Sequence, residues 1–206
     1  IYLANVNNPT GTKISEKDLR RFISSIPDHI LVIVDEAYFE FSQALDADFP
    51  NSMDLGFENV LTLRTFSKAY GIAGVRIGYG VGHPKIIEAM NKVRLTFEPG
   101  TLSQAAGIGA LQDEDFLEQT IANNTEQMKV LTEAFDEHGI KYVPSYGNFV
   151  MTVWNSEGEV KNVFEKLMKR GVLVRPLAGG LDHCIRISVG RPEENKWLIE
   201  NLALVK

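Results

Sequence analysis

The chain has 206 residues, enough to bury a sizeable core in one large domain or two small ones. With 44% hydrophobic and 23% charged residues, its composition is that of a soluble globular protein. The net charge of −6 argues against a nucleic-acid partner, no apolar run approaches the roughly 20 residues of a membrane span, and the single cysteine, Cys184, excludes an internal disulfide and fits a reducing compartment.

The chain opens on Ile1-Tyr2-Leu3-Ala4-Asn5-Val6, which reads as the middle of a strand without a leading loop, so a longer protein is expected whose front is missing here. A helix is predicted over 16–26, with Ser15 as N-cap and Leu19, Phe22, Ile23 and Ile26 as one apolar stripe. Ile30-Leu31-Val32-Ile33-Val34 is apolar without alternation, which predicts a strand buried on both faces. Strands over 60–64 and 76–81 continue an alternation of short apolar runs and helical patterns, the mark of βαβ units.

From Ser103 the pattern is helical. Leu117, Ile121, Asn124, Met128, Leu131 and Phe135 mark one face of a long helix that Gly139 ends. A smaller α+β unit is expected beyond it, with strands over 141–143, 149–153, 172–174 and 184–189. Its helices cover 159–170 and 192–204, the second opened by Pro192-Glu193-Glu194. Cys184, beside Ile185, Ile187 and Val189, reads as a small core residue. The predicted organisation is a partial large α/β domain over 1–112, a linking helix over 113–138 and a small C-terminal domain over 139–206.

Three predicted strands of the first domain end in polar residues, where open α/β sheets bind ligands. Asn7-Asn8-Pro9-Thr10-Gly11 follows the first strand and is by itself ordinary turn chemistry. Asp35-Glu36-Ala37-Tyr38 follows the second. A strand ending in two acids also suits a P-loop nucleotide site, but the chain contains no G-x-x-x-x-G-K-[ST] loop. Thr65-Phe66-Ser67-Lys68 follows the third, and Gly71 and Gly74 allow tight turns before Arg76. Gly78-Tyr79-Gly80-Val81-Gly82 lacks the spacing of a dinucleotide fingerprint, and the histidines at 29, 83, 138 and 183 show no metal-ligand spacing, so no metal is assigned.

Taken together these residues suit pyridoxal phosphate (PLP). That cofactor needs an amine, a carboxylate for its pyridine nitrogen, hydrogen bonds to its ring oxygen and a cationic phosphate cradle. Lys68, Asp35, Asn8 with Tyr38, and Thr65 with Arg76 supply these in turn. In the last domain, Cys184-Ile185-Arg186-Ile187-Ser188 alternates, so Arg186 leaves the face of Ile185 and Ile187, either toward solvent or toward a ligand. Arg175, in Val172-Leu173-Val174-Arg175-Pro176, shares that ambiguity.

The Asn-Pro-Thr-Gly run, Asp-Glu-Ala-Tyr, Ser-Lys and the arginine eight residues after that lysine resemble the fold-type I PLP-dependent aminotransferases. Phrases such as Arg64-Thr65-Phe66-Ser67-Lys68-Ala69-Tyr70-Gly71 and Arg186-Ile187-Ser188-Val189-Gly190 resemble the histidinol-phosphate aminotransferases most. The resemblance runs the length of the chain and implies a fold-type I α/β fold, a truncated large domain with a mixed sheet plus a small α+β C-terminal domain. It implies that Lys68 forms the Schiff base, Asp35 pairs with the pyridinium, and Asn8 and Tyr38 bond the ring oxygen. Ala37 would pack under the ring, and Thr65, Ser67 and Arg76 would hold the phosphate. Arg186 would bind the carboxylate of 2-oxoglutarate or the anionic end of the other substrate, and Arg175 would join it near the phosphate of histidinol phosphate. A cytoplasmic homodimer acting in histidine biosynthesis is implied as well.

The family's ring-stacking aromatic, its backbone phosphate turn and a tyrosine from the partner subunit lie upstream of these motifs. The sequence is therefore expected to encode the site only in part. Two enzymatic alternatives share the fold, an aromatic amino-acid aminotransferase and a phosphate-recognising PLP decarboxylase. A third, the ligand-sensing domain of a transcription regulator, comes from a different class of protein.

Overall fold

The computed structural model of the chain describes residues 1–205. It divides into two compact units, one of residues 1–7 and 13–121, the other of residues 8–12 and 122 onward. Among the described residues no helix is long and apolar enough to cross a membrane.

The first unit holds a sheet of β1 (Tyr2–Ala4), β2 (Val32–Asp35), β3 (Val60–Thr65) and β4 (Gly78–Gly82), in that spatial order. The first three strands are parallel, and β4 runs antiparallel to β3, which makes the sheet mixed as expected. The crossover between β1 and β2 is α1 (Glu16–Ser24). Ser15 caps it, its hydroxyl accepting from the Asp18 N–H at 3.1 Å. Leu19 and Ile23 are fully buried against Val32, Val34 and Val60, each burial worth about 1.5–3 kcal/mol.

Phe22 departs from the expected stripe and keeps about a third (36%) of its surface exposed. At 100° per residue it stands about 60° round the helix from Leu19, outside the arc the sheet covers. The expectation that the 30–34 strand is buried on both faces also fails. Val32 and Val34 are buried under α1, while Ile33 and Asp35 point to the other face and are only half-buried. An unbroken apolar run carries no alternation to tell a covered face from an open one.

The strand expected over 76–81 begins two residues later, because Arg76 takes a left-handed conformation (φ 57°) that closes a 3-10 turn over Ala73–Val75. Helices α2 (Phe39–Leu45) and α3 (Pro84–Val93) were not resolved in the sequence pattern. The helical stretch after residue 100 is two helices, α4 (Thr101–Gln112) and α5 (Glu114–Glu137). They break at Asp113, whose carboxylate accepts from the Phe116 N–H at 3.1 Å and so starts a new helix. Residues of α5 up to Ile121 belong to the first unit and the rest to the second.

Gly139 ends α5 as expected, with φ 59° and an Ile140 N–H to Phe135 C=O bond of 2.8 Å. The second unit then builds an antiparallel sheet from β5 (Lys141–Val143), β6 (Phe149–Val153), β7 (Arg175–Pro176) and β8 (Cys184–Ser188), ordered β5-β6-β8-β7. Its helices are α6 (Glu157–Met168) and α7 (Pro192–Val205). The strand expected over 172–174 lies instead at Arg175–Pro176. The Val172 N–H still bonds back to the Leu167 C=O at 3.0 Å and closes the end of α6, so ladder pairing starts only at Arg175. Cys184 is buried, and burial pushes its thiol pKa up.

Candidate functional site

Asp35 ends β2 and Thr65 ends β3. Asp35 pairs in register with Leu63, and alternation along β3 returns Thr65 to the same face. This is the half-open face, opposite α1. The Ala37 N–H donates to Asp35 Oδ1 at 3.1 Å, a local turn that ends the strand. Tyr38 then caps α2 and is itself buried. Asp35 Oδ2 accepts the Tyr2 hydroxyl. That hydrogen bond first, then burial and the carboxylate's charge, push the phenol pKa up to about 12.

Beyond β3 the chain folds into a compact polar turn. Thr65 Oγ1 accepts from the Ser67 N–H at 3.1 Å and donates to Ser67 Oγ at 3.0 Å. Arg76 Nη1 reaches the same Ser67 hydroxyl at 3.4 Å and also donates to the Ala73 carbonyl at 2.8 Å. Two hydroxyls beside a guanidinium are anion-binding chemistry. Lys68 is exposed in this turn, with Nζ 5.3 Å from the Tyr38 ring centroid. Among the described residues no carboxylate pairs with it.

The opposite face of the same strand ends carries a buried ion pair. Arg64 donates to Glu36 Oε2 through Nη2 (2.8 Å) and Nε (3.1 Å), and Glu36 is fully buried. The Ser52 N–H bonds Glu36 Oε1 at 2.8 Å, and Asn51 Oδ1 accepts from Arg64 Nη2 at 2.7 Å. The guanidinium also lies 3.3 Å from the Phe39 ring centroid.

The second unit holds Asn8, Arg175 and Arg186. Gly11 lets the 8–12 loop fold closely there: its φ is 77°, and a Cβ would lie 2.2 Å from Ser145 Oγ. Its carbonyl accepts from the Tyr146 N–H at 2.9 Å. Arg186 Nη1 donates to Asn8 Oδ1 at 2.8 Å, and its guanidinium lies 5.4 Å from the Phe149 ring centroid. Arg186 Nε is buried with no hydrogen-bond partner among the described residues. Arg175 stands directly opposite Arg186 in the β7–β8 ladder, so both side chains rise from one face.

The structure therefore groups Asp35, Ala37, Tyr38, Thr65, Ser67, Lys68 and Arg76 in one unit and Asn8, Arg175 and Arg186 in the other. The first group fits a phosphate-bearing pyridine aldehyde: an amine with no ion-pair partner among the described residues, a carboxylate held by two donors, and hydroxyls beside a guanidinium. Sequence reasoning missed Tyr2 and the Glu36–Arg64 pair. Both are contacts across strands, and cross-strand register is not written in the local pattern.

The profile of the family described as aminotransferase class I and II matches residues 1–202. The chain is 43% identical to histidinol-phosphate aminotransferase 1 of Nitrosococcus oceani, over 100% of this chain and 55% of that protein. It is 40% identical to the histidinol-phosphate aminotransferase of Anoxybacillus flavithermus, over 98% of this chain and 54% of that one. Among solved structures, the Sinorhizobium meliloti histidinol-phosphate aminotransferase in complex with pyridoxal-5′-phosphate superposes with a TM-score of 0.89 at 32% identity. That match covers 99% of this chain and 56% of the neighbour. The chain thus spans about half the length of the curated relatives it matches.

Proposed function

Because this chain belongs to the class I and II aminotransferase family, we propose that it carries the PLP-holding lysine and the substrate arginines of an enzyme that transfers the amino group of L-histidinol phosphate to 2-oxoglutarate in histidine biosynthesis. The observation that carries this reading is the meeting of Asp35, Thr65, Ser67, Lys68 and Arg76 on one unit, at neighbouring strand ends and the turn that follows. Bound there, PLP would supply an electron sink for a carbanion at the substrate's α-carbon. The chain's own residues do the rest. The Asp35 carboxylate balances a cationic ring nitrogen, while Thr65, Ser67 and Arg76 bind the phosphate. Lys68 Nζ anchors the cofactor and, once displaced by substrate, takes up and returns the proton at the reacting carbon.

Arg175 and Arg186 define the substrate. Two guanidinium groups opposed across a ladder repel each other unless an anion lies between them. A phosphate monoester in one half-reaction and a dicarboxylate in the other both meet that need. A cytoplasmic homodimer goes with this reading and is supported by the family resemblance alone.

The test is chemical. The protein is loaded with PLP, reduced with borohydride and digested, and the modified lysine is located by mass spectrometry. Lys68 should carry the label, and Lys68→Ala should remove the visible absorption. Recovery of the label chiefly on other lysines would sink the assignment.

A further inference from the structure

We propose that Tyr2 is a positioning residue for the cofactor: its phenol fixes the Asp35 carboxylate in rotation for a pyridinium nitrogen. The inference rests on the reading of Asp35 given above. Asp35 is half-buried at the end of a strand, where a carboxylate turns freely unless its oxygens are held. Both are held here. Oδ1 accepts the Ala37 N–H in a local turn, and Oδ2 accepts the Tyr2 hydroxyl from the neighbouring strand.

The register explains how Tyr2 reaches. Ala4 stands opposite Asp35, and Tyr2 is two residues back on the same face. The methyl of Ala4 leaves room for the aromatic ring to cross diagonally, a span within reach of a tyrosine. Tyr2 is 58% exposed, so packing does not account for its position. Its pKa, pushed up to about 12, keeps the hydroxyl a donor throughout the pH range in which an enzyme works. Each carboxylate oxygen has two acceptor sites, so Oδ2 can take the phenol and a ring N–H together. Tyr2 acts through Asp35 and is not itself a catalytic residue.

The experiment is a double-mutant cycle in the full-length protein, read by fluorescence titration with pyridoxamine 5′-phosphate, which lacks the aldehyde and cannot label lysines. Tyr2→Phe should weaken binding about three- to tenfold, the net value of one solvent-exposed hydrogen bond. In an Asp35→Asn background the same change should cost less than about twofold. Ala4→Val, which blocks the diagonal path, should reproduce the Tyr2→Phe loss. Melting temperatures of the Tyr2→Phe and parent proteins should agree, because the ring is retained and the contact is exposed. Undiminished affinity in Tyr2→Phe, or an equal effect in both backgrounds, overturns the inference while leaving the cofactor reading in place. A parent protein that binds no pyridoxamine phosphate overturns both.

Discussion

Arg175 is the residue on which the substrate assignment turns. It is exposed, whereas Arg186 is half-buried, bonded to Asn8 and set beside the Phe149 ring. In the proposed reading, burial and a fixed partner would make Arg186 a preset fork for a carboxylate or phosphate, with Arg175 adding a second charge beside it. An enzyme for uncharged aromatic side chains can dispense with that second charge. Arg175→Ala should therefore raise KM for histidinol phosphate by ten- to a hundredfold, about 1.4–2.7 kcal/mol, and leave phenylalanine or tyrosine turnover nearly unchanged. Half-reaction titrations with each amino donor measure this directly. An unchanged histidinol-phosphate titration would favour an aromatic aminotransferase.

At the scale of elements, β2 and β3 are tied at their ends by the buried pair on the face away from the site. Glu36 follows Asp35 and Arg64 precedes Thr65, so alternation places the ion pair on one face and the candidate cofactor residues on the other. Breaking such a pair leaves a buried charge unpartnered, whereas replacing both members with neutral groups removes the desolvation cost with the attraction. Arg64→Met should lower stability by about 3–5 kcal/mol, and Glu36→Gln with Arg64→Met should recover much of that. Denaturant titrations of the three proteins decide it. A double variant no more stable than Arg64→Met would show that the Phe39 and Asn51 contacts of the guanidinium matter more than its charge.

For the whole molecule, the notable surface runs from the end of α3 to the start of α4, where Val93, Leu95, Phe97 and Leu102 are each at least 74% exposed. Apolar side chains clustered in so short a stretch favour self-association in water. The chain by itself should associate as its concentration rises and should bind a hydrophobic dye. Leu95→Glu with Phe97→Glu should suppress both without lowering the melting temperature, since neither residue is in the core. Sedimentation across a concentration series tests this, and a parent chain that stays monomeric throughout would contradict it.

Much of this protein was legible in its sequence, because the relevant signals are local. Ser15 capping α1, Gly139 ending α5, the apolar rows Leu19–Ile23 and Met128–Leu131–Phe135, and the three polar strand ends each follow from residue type and short-range spacing. The family motif extended that reading to a cofactor and to named roles for Lys68, Asp35 and Arg76. Only the tertiary structure decided which face of β2 is covered, that Arg175 opposes Arg186, and that Tyr2 and Glu36 find Asp35 and Arg64 across strands. It also decided that Asn8 packs with Arg186 in the second unit, although the residue before it, Asn7, belongs to the first. The division has one physical cause. Caps, turns and helical stripes are set by residues within about four positions of one another, while register and face coverage depend on segments far apart in the chain meeting in space.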